Sequence, residues 1–291
     1  MNISELVSDF SYQKFKEYVS EIKKDDVVIS AIGRSIMSRD IPLIRIGHGK
    51  KNILYVAAHH AAEWITAPCL LKFIGEYADA CDEKSKENST VWCVPLLNPD
   101  GVELELFGTD ENCVLAKRQL AMNGGSEDFS KWQANARGVD LNHNYDAGFL
   151  EYKIIERERG IVNGPTKFSG EYPESEPEVN ALCSFIRSVG VDAILTLHTQ
   201  GEEIFYSSGG MYAPGSQEIA RKLSEITGYK LSEPTDTASY GGLTDFAIRN
   251  LSIPSFTLEC GTGENPLPRE TFDSIYDRIR PALFGMPEFV G

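Results

Sequence analysis

The stretch ILYVAAHHAAE, residues 53–63, opens with an apolar run that breaks at two histidines. A run without polar alternation is the pattern of a strand covered on both faces, as in the parallel core of an α/β sheet. Residues 66–81, directly after it, repeat apolar side chains at intervals of three and four, the helix period. Working outward, runs rich in β-branched residues fall at 26–32, 42–46, 52–58, 90–97, 193–198 and 255–259. Further helix patterns occupy 176–189, 216–227 and 271–283, and the acidic segment PESEPE at 173–178 reads as a helix start, where negative charge suits the helix dipole. The alternation predicts an α/β layered domain. No period of 20–50 residues, low-complexity tract or Pro/Gly/Ser linker is present, so residues 1–291 are expected to form one domain, with 1–25 as an N-terminal helical segment packed on it.

Composition narrows the function classes. The 28 basic and 43 acidic residues give a formal charge of −15, which argues against nucleic acid or an anionic membrane as partner. No apolar run approaches the roughly 18 residues needed to cross a bilayer, and the start lacks a basic-then-apolar secretory pattern, so a cytoplasmic location is expected. Cys69, Cys81, Cys93, Cys113, Cys183 and Cys260 lack paired spacing and several sit in apolar runs, so disulfides are not expected.

The chemistry concentrates at strand ends. His60 and Glu63 stand where the first run breaks, His198 ends AILTLH and Glu259 ends SFTLE. Ligands in open α/β sheets gather beyond the carboxyl ends of strands. A histidine and a glutamate three apart, joined by a distant histidine, form an open metal site that keeps a position for water, whereas structural zinc is normally closed by four ligands. Any one of these residues has a bland reading, as a solvated turn pair or a satisfied core histidine. Their shared placement, in a chain with only five histidines, favours the metal. His59 competes with His60, but adjacent residues point different ways and only His60 has a glutamate three along. A free carboxylate such as Glu259 could take a proton from metal-activated water and deliver it to a leaving amine, which is the logic of amide hydrolysis. Asp140, in GVDLNHNY, fits either an Asx turn or the group that orients a ligand imidazole.

Taken together, HHAAEW, GVDLNHN, LTLH and FTLE resemble, in order and spacing, the zinc carboxypeptidases, over roughly residues 27–285. The resemblance implies a three-layer α/β/α domain around a mixed, twisted sheet, with one zinc ion per chain. It assigns His60, Glu63 and His198 to the metal, Glu259 to general base and acid, and Asp140 to the hydrogen bond holding His60. The segments KWQANARGVDLNHNYDAGF, YPESEPE, LHTQGEEIFY and ECGTGENPLP look like a bacterial branch that cleaves γ-D-glutamyl-meso-diaminopimelate bonds in peptidoglycan peptides. His143 stands where digestive members have an arginine that grips a terminal carboxylate, and Ala62 replaces another arginine. For the oxyanion arginine the resemblance points to Arg137, with Arg118 behind it. The family's mobile tyrosine aligns by position with Thr237, while Tyr240 precedes Gly241-Gly242 as a candidate lid donor.

The expected function is zinc-dependent hydrolysis of that amide in a small muropeptide, with Asn142, His143 and Arg137 holding substrate carboxylates. The rivals are an ordinary carboxypeptidase or a zinc N-acyl amino acid deacylase, and a silent binding module that retains the fold.

Overall fold

Leu54 and Val56 project from one face of the central strand and Ile53, Tyr55 and Ala57 from the other, and all five are fully buried. The computed structural model describes residues 1–24, 26–238 and 240–290. Among these, the strands are β1 (Val27–Arg34), β2 (Asp40–Ile46), β3 (Lys51–Ala57), β4 (Ser89–Val94), β5 (Ala193–His198), β6 (Glu203–Phe205), β7 (Lys230–Ser232) and β8 (Ser255–Glu259). The helices are α1 (Ile3–Ser8), α2 (Tyr12–Glu21), α3 (Thr66–Ala80), α4 (Glu83–Asn88), α5 (Pro99–Phe107), α6 (Ala116–Met122), α7 (Phe149–Arg159), α8 (Pro177–Val189), α9 (Ser216–Thr227), α10 (Leu243–Leu251) and α11 (Phe272–Phe289). None of the helices is long and apolar enough to cross a membrane.

The strands form one mixed sheet in the order β1-β2-β4-β3-β5-β8-β6-β7. Its centre, β4-β3-β5-β8, is parallel, and β1, β2 and β6 run antiparallel to their inner neighbours. Parallel strands need helices on both faces, which explains the uninterrupted apolar character of 53–58. On one face α3, α9 and α11 pack with Tyr55, Leu195 and Phe256, joined by Leu6 of α1 and Phe15 of α2. On the other, α8 and α10 cover Leu54, Val56 and Ile194. This is the expected three-layer α/β/α domain. From β3 the chain moves first to β4 on one side and later to β5 on the other, so the carboxyl end of β3 is a topological switch point, where α/β sheets bind ligands.

The boundaries depart from the sequence pattern in physically readable places. Strand β2 starts at Asp40 rather than at residue 42, because a register shift between Ala31 and Gly33 accommodates Pro42, which has no N–H to donate. Strand β4 stops at Val94, since Asn98 caps α5 and the chain must turn into it. Strands β6 and β7, three residues each, are too short to show a period and were not expected. All six cysteines are free, as expected.

Helix α8 begins with Glu176 as N-cap, carries Pro177 in its first turn and ends at Gly190 with φ +70°. Its first turn also buries Glu178, whose Oε1 accepts from the Ile36 N–H at 3.3 Å while Oε2 has no partner. Burial, with the nearby charges of Asp100 and Glu176, pushes this carboxyl up to about 8. The folded state therefore keeps a proton that the unfolded chain gives up above about 4.5, and the side chain costs increasing stability as pH rises through that window. Glu178→Gln should be more stable than wild type by a margin that grows between pH 5 and 8, reaching on the order of 2–4 kcal/mol. Urea unfolding across that range measures it, and a pH-independent margin would contradict the assignment.

Candidate active site

Beyond β3 the chain turns sharply at Ala58, which adopts φ +53°, and runs through His59 and His60 into a 3-10 turn at Ala61–Glu63. Three sets of bonds hold this turn. Ala61 and Ala62 donate to the carbonyls of Gln133 and Trp132, each at 3.0 Å. Thr66 Oγ1 accepts from Ala58 N and donates to the Glu63 carbonyl, and Asn98 Nδ2 donates to the His59 carbonyl. Buried backbone groups are thereby satisfied at a place where no ladder can serve them.

Two imidazoles and one carboxylate converge on the resulting shelf. His60 Nδ1 lies 2.9 Å from Glu63 Oε1, His198 Nδ1 lies 2.9 Å from Glu63 Oε2, and the two Nδ1 atoms are 3.3 Å apart. Tetrahedral zinc with bonds of roughly 2.0–2.1 Å would space its ligands about 3.3 Å apart, so the three atoms suit neighbouring corners of that polyhedron. The cluster could hold a metal ion, and two histidines with one carboxylate is the donor set of an open rather than a closed site. His59 is excluded from it. Its Nε2 bonds Tyr145 Oη at 2.9 Å, its ring stacks beneath His198, and burial followed by the charges of His198 and His60 holds its pKa well below the usual histidine range.

The ligand groups are themselves held. Asp140 Oδ1 lies 3.1 Å from His60 Nε2 and accepts from Asn142 N, while Oδ2 accepts from Lys167 N at 2.9 Å, so one carboxylate both caps a turn and orients an imidazole. Thr199 N and Asn265 Nδ2 approach the Glu63 carboxylate at 3.3 and 3.4 Å, and these two residues bond each other at 2.7 Å. Neither was singled out from sequence as a support for Glu63, although Thr199 adjoins His198. Burial opposes ionisation of Glu63, but His60 and His198 overcome it by charge and hydrogen bonding and bring its carboxyl down to about 2.

Glu259 ends β8 directly across the register from His198. It lines a cleft of about 200 Å³ together with His60, Asp140, Asn142 and His143. No hydrogen-bond donor reaches its carboxylate among the described residues, and burial, then the Glu63 charge, pushes its carboxyl well above the usual range. His143 is fixed by Tyr240 O at 3.0 Å and stacks on Tyr152 at 4.0 Å, and Asn142 Oδ1 accepts from Leu243 N. Gly241 permits this packing, since a Cβ there would lie 2.6 Å from the His143 carbonyl oxygen.

Two expected residues are not brought to the cleft. Arg137 instead donates to Glu176, with contacts of 3.0 and 3.1 Å, and lines a separate cavity of about 150 Å³ with Arg118. The side chain of Tyr240 packs at Gly148 and under the Arg249 guanidinium, and it is Thr237 and Ala238 that reach the cleft wall. Gln133, Lys167, Ser207, Thr244, Asp245 and Thr257 line the cleft without having been foreseen. Among them, Thr244 and Asp245 lie in α10, for which no helix pattern was read, and Thr257 lies in the β8 pattern, but nothing local marks them as facing a cavity. A larger cavity of about 610 Å³, lined by Lys51, Tyr77, Ser89 and Phe284, lies toward the amino ends of β3 and β4, away from this chemistry.

A mixed sheet with two imidazoles and two carboxylates at its carboxyl edge defines the class of a metal-dependent hydrolase. Residues 12–280 match the zinc carboxypeptidase family model, and the chain belongs to that family, whose cofactor is one zinc ion. Over 256 residues it is 36% identical to gamma-D-glutamyl-L-diamino acid endopeptidase 1 of Lysinibacillus sphaericus, an alignment covering 84% of this chain and 63% of that protein. Among solved structures it is similar to carboxypeptidase A from Helicoverpa armigera, with a TM-score of 0.70 at 18% identity, covering 96% of this chain and 73% of the other. It is also similar to murein-tripeptide amidase MpaA from Escherichia coli O157, with a TM-score of 0.55 at 19% identity, covering 89% and 91%.

Metal content tests the site directly. Purified protein should carry close to one zinc per chain, and His198→Ala should lose it, as read by elemental analysis. Because an ion that binds only the folded state stabilises it, chelation should lower the wild-type melting temperature by several degrees and leave His198→Ala unmoved. Equal shifts in both would remove the cluster from consideration.

Proposed function

We propose that this chain hydrolyses the amide between the side-chain carboxyl of D-glutamate and diaminopimelate in small muropeptides, with His60, Glu63 and His198 holding zinc. The observation that carries the hydrolytic reading is the cluster of His60, Glu63 and His198, whose His60 lines one cleft with Glu259, a carboxylate that no donor occupies among the described residues. The 36% identity to an endopeptidase named for the γ-D-glutamyl bond supports the substrate. A cleft lined by Ser207, Thr244, Asp245 and Thr257 also suits the polar end of a diamino acid better than an aromatic or aliphatic side chain.

A zinc ion held by His60, Glu63 and His198 would supply Lewis acidity toward the scissile carbonyl and would lower the pKa of water toward neutrality. Glu259 takes the proton of the attacking water and returns it to the departing amino group. A carboxyl whose pKa is raised by burial suits both transfers. Asp140 keeps the His60 ring in one orientation through Nε2, and Asn142 and His143 present polar groups to the leaving residue. Arg137 has no part in this account, since its guanidinium is committed to Glu176. The described chain is taken to work as one peptidase unit with residues 1–25 packed on it, and its free cysteines support a reducing compartment such as the cytoplasm.

Glu259→Gln should retain zinc and lose turnover by about three orders of magnitude or more. Cleavage of a γ-D-glutamyl-diaminopimelate tripeptide should exceed that of hippuryl peptides. Exclusive turnover of hippuryl peptides would replace this reading by that of an ordinary carboxypeptidase, and retention of full activity in Glu259→Gln would remove the base.

A further inference from the structure

The substrate of the proposed reaction carries several carboxylates, and the protein that must bind it has a formal charge of −15. Long-range repulsion therefore works against capture, and positive charge has to be supplied locally. Asp140, Asp245 and Glu259 line the cleft with negative charge, while Arg118 and Arg137 line a different cavity. Among the described residues lining the cleft, Lys167 is the one lysine or arginine.

Lys167 is built in an unusual way. Its backbone sits at φ +70°, a conformation that is strained for a residue with a Cβ and that persists where surrounding contacts over-determine it. Those contacts are present: its N–H donates to Asp140 Oδ2 at 2.9 Å, and its carbonyl accepts from Tyr152 Oη at 2.8 Å. Asp140 is in turn bonded to His60, so two hydrogen bonds tie the Lys167 backbone to a proposed metal ligand. The side chain, by contrast, is exposed and has no acidic partner within ion-pair distance among the described residues. With its backbone fixed and its side chain unpaired in the lining of the cleft that also holds His60 and Glu259, this cation is placed to meet an incoming anion.

We propose that Lys167 determines specificity by binding the free α-carboxylate of the γ-glutamyl residue. The inference rests on the function proposed above. It takes the acyl side of the substrate because Asn142 and His143 form the wall assigned to the leaving residue, whereas Lys167 belongs to the other part of the lining, next to Thr166, whose Oγ1 donates to Gln133 Oε1 at 2.7 Å. An ammonium–carboxylate bond at this position would select a γ-linked glutamate with a free α-carboxylate over one whose α-carboxylate is amidated.

The test compares two tripeptide substrates that differ only in a free or amidated α-carboxylate, using zinc-loaded wild type, Lys167→Met and Lys167→Arg. Lys167→Met should raise KM for the free-carboxylate substrate by about 10- to 100-fold with kcat changed less than about threefold, and change KM for the amidated substrate less than about threefold. Lys167→Arg should recover most of the loss, and zinc content should equal that of wild type in both variants, because Asp140 is held by the backbone of Lys167 and not by its side chain. Equal losses on both substrates, no loss on either, or a fall confined to kcat would overturn the assignment while leaving the reaction in place. Absence of wild-type turnover on both substrates would instead overturn the function reading, and this inference with it.

Discussion

Three side chains, Glu63 and His198 buried and His60 half-buried, whose ligating atoms stand 2.9–3.3 Å apart set the terms for the rest of the molecule. Two imidazole nitrogens and a carboxylate oxygen at such separations are spaced to share one cation. Holding them there requires rigidity, and the fold supplies it by rooting His198 at the end of β5 and the His60–Glu63 pair on the turn that leaves β3. Both strands lie in the parallel centre of the sheet, where helices cover each face and no edge can fray. The supports then form layers, with Asp140 behind His60, Thr199 and Asn265 behind Glu63, and the His59 ring beneath His198.

The cleft shows how one scaffold separates structural from chemical charge. Arg137 and Glu176 neutralise each other beside α8, and Asn135 Nδ2 adds a bond to Glu176 at 2.7 Å, so that ion pair tightens the loop before GVDLNHN and contributes nothing to the cleft. Glu259 and Lys167 have no such partner among the described residues. An unpaired carboxyl is costly in proportion to its burial, so the persistence of Glu259 beside a cluster of metal-binding groups reads as function rather than packing, whereas the exposed Lys167 side chain carries no such cost.

Much of the architecture could be read along the chain because its signals are local. The apolar run at 53–58, the periodicity of 66–81 and the Pro-Glu start of α8 each follow from a pattern spanning one element. The proposed histidine ligands and the base were legible for the same reason: His60 and His198 as ligands and Glu259 as base all stand where strand patterns end, so the rule that α/β sites lie at strand ends sorted them from other polar residues. Arg137 and Tyr240 had only their position relative to a motif to recommend them. A position in sequence carries no information about which way a side chain turns once the backbone leaves a regular element. Lys167, in a loop and at φ +70°, had no pattern to announce it.

The amino-acid order alone thus settled that the chain forms an α/β layered domain with titratable groups at the mouths of its strands, because burial and hydrogen-bond periodicity act over a few residues. Which of those groups face one another depended on the strand order β4-β3-β5-β8, which brings residues 60 and 198 within 3.3 Å across 138 positions of sequence. The same holds for the charges of the cleft. Whether a lysine or arginine stands free or is neutralised is decided by what packs against it, and loops distant in sequence make that choice only when the layers close.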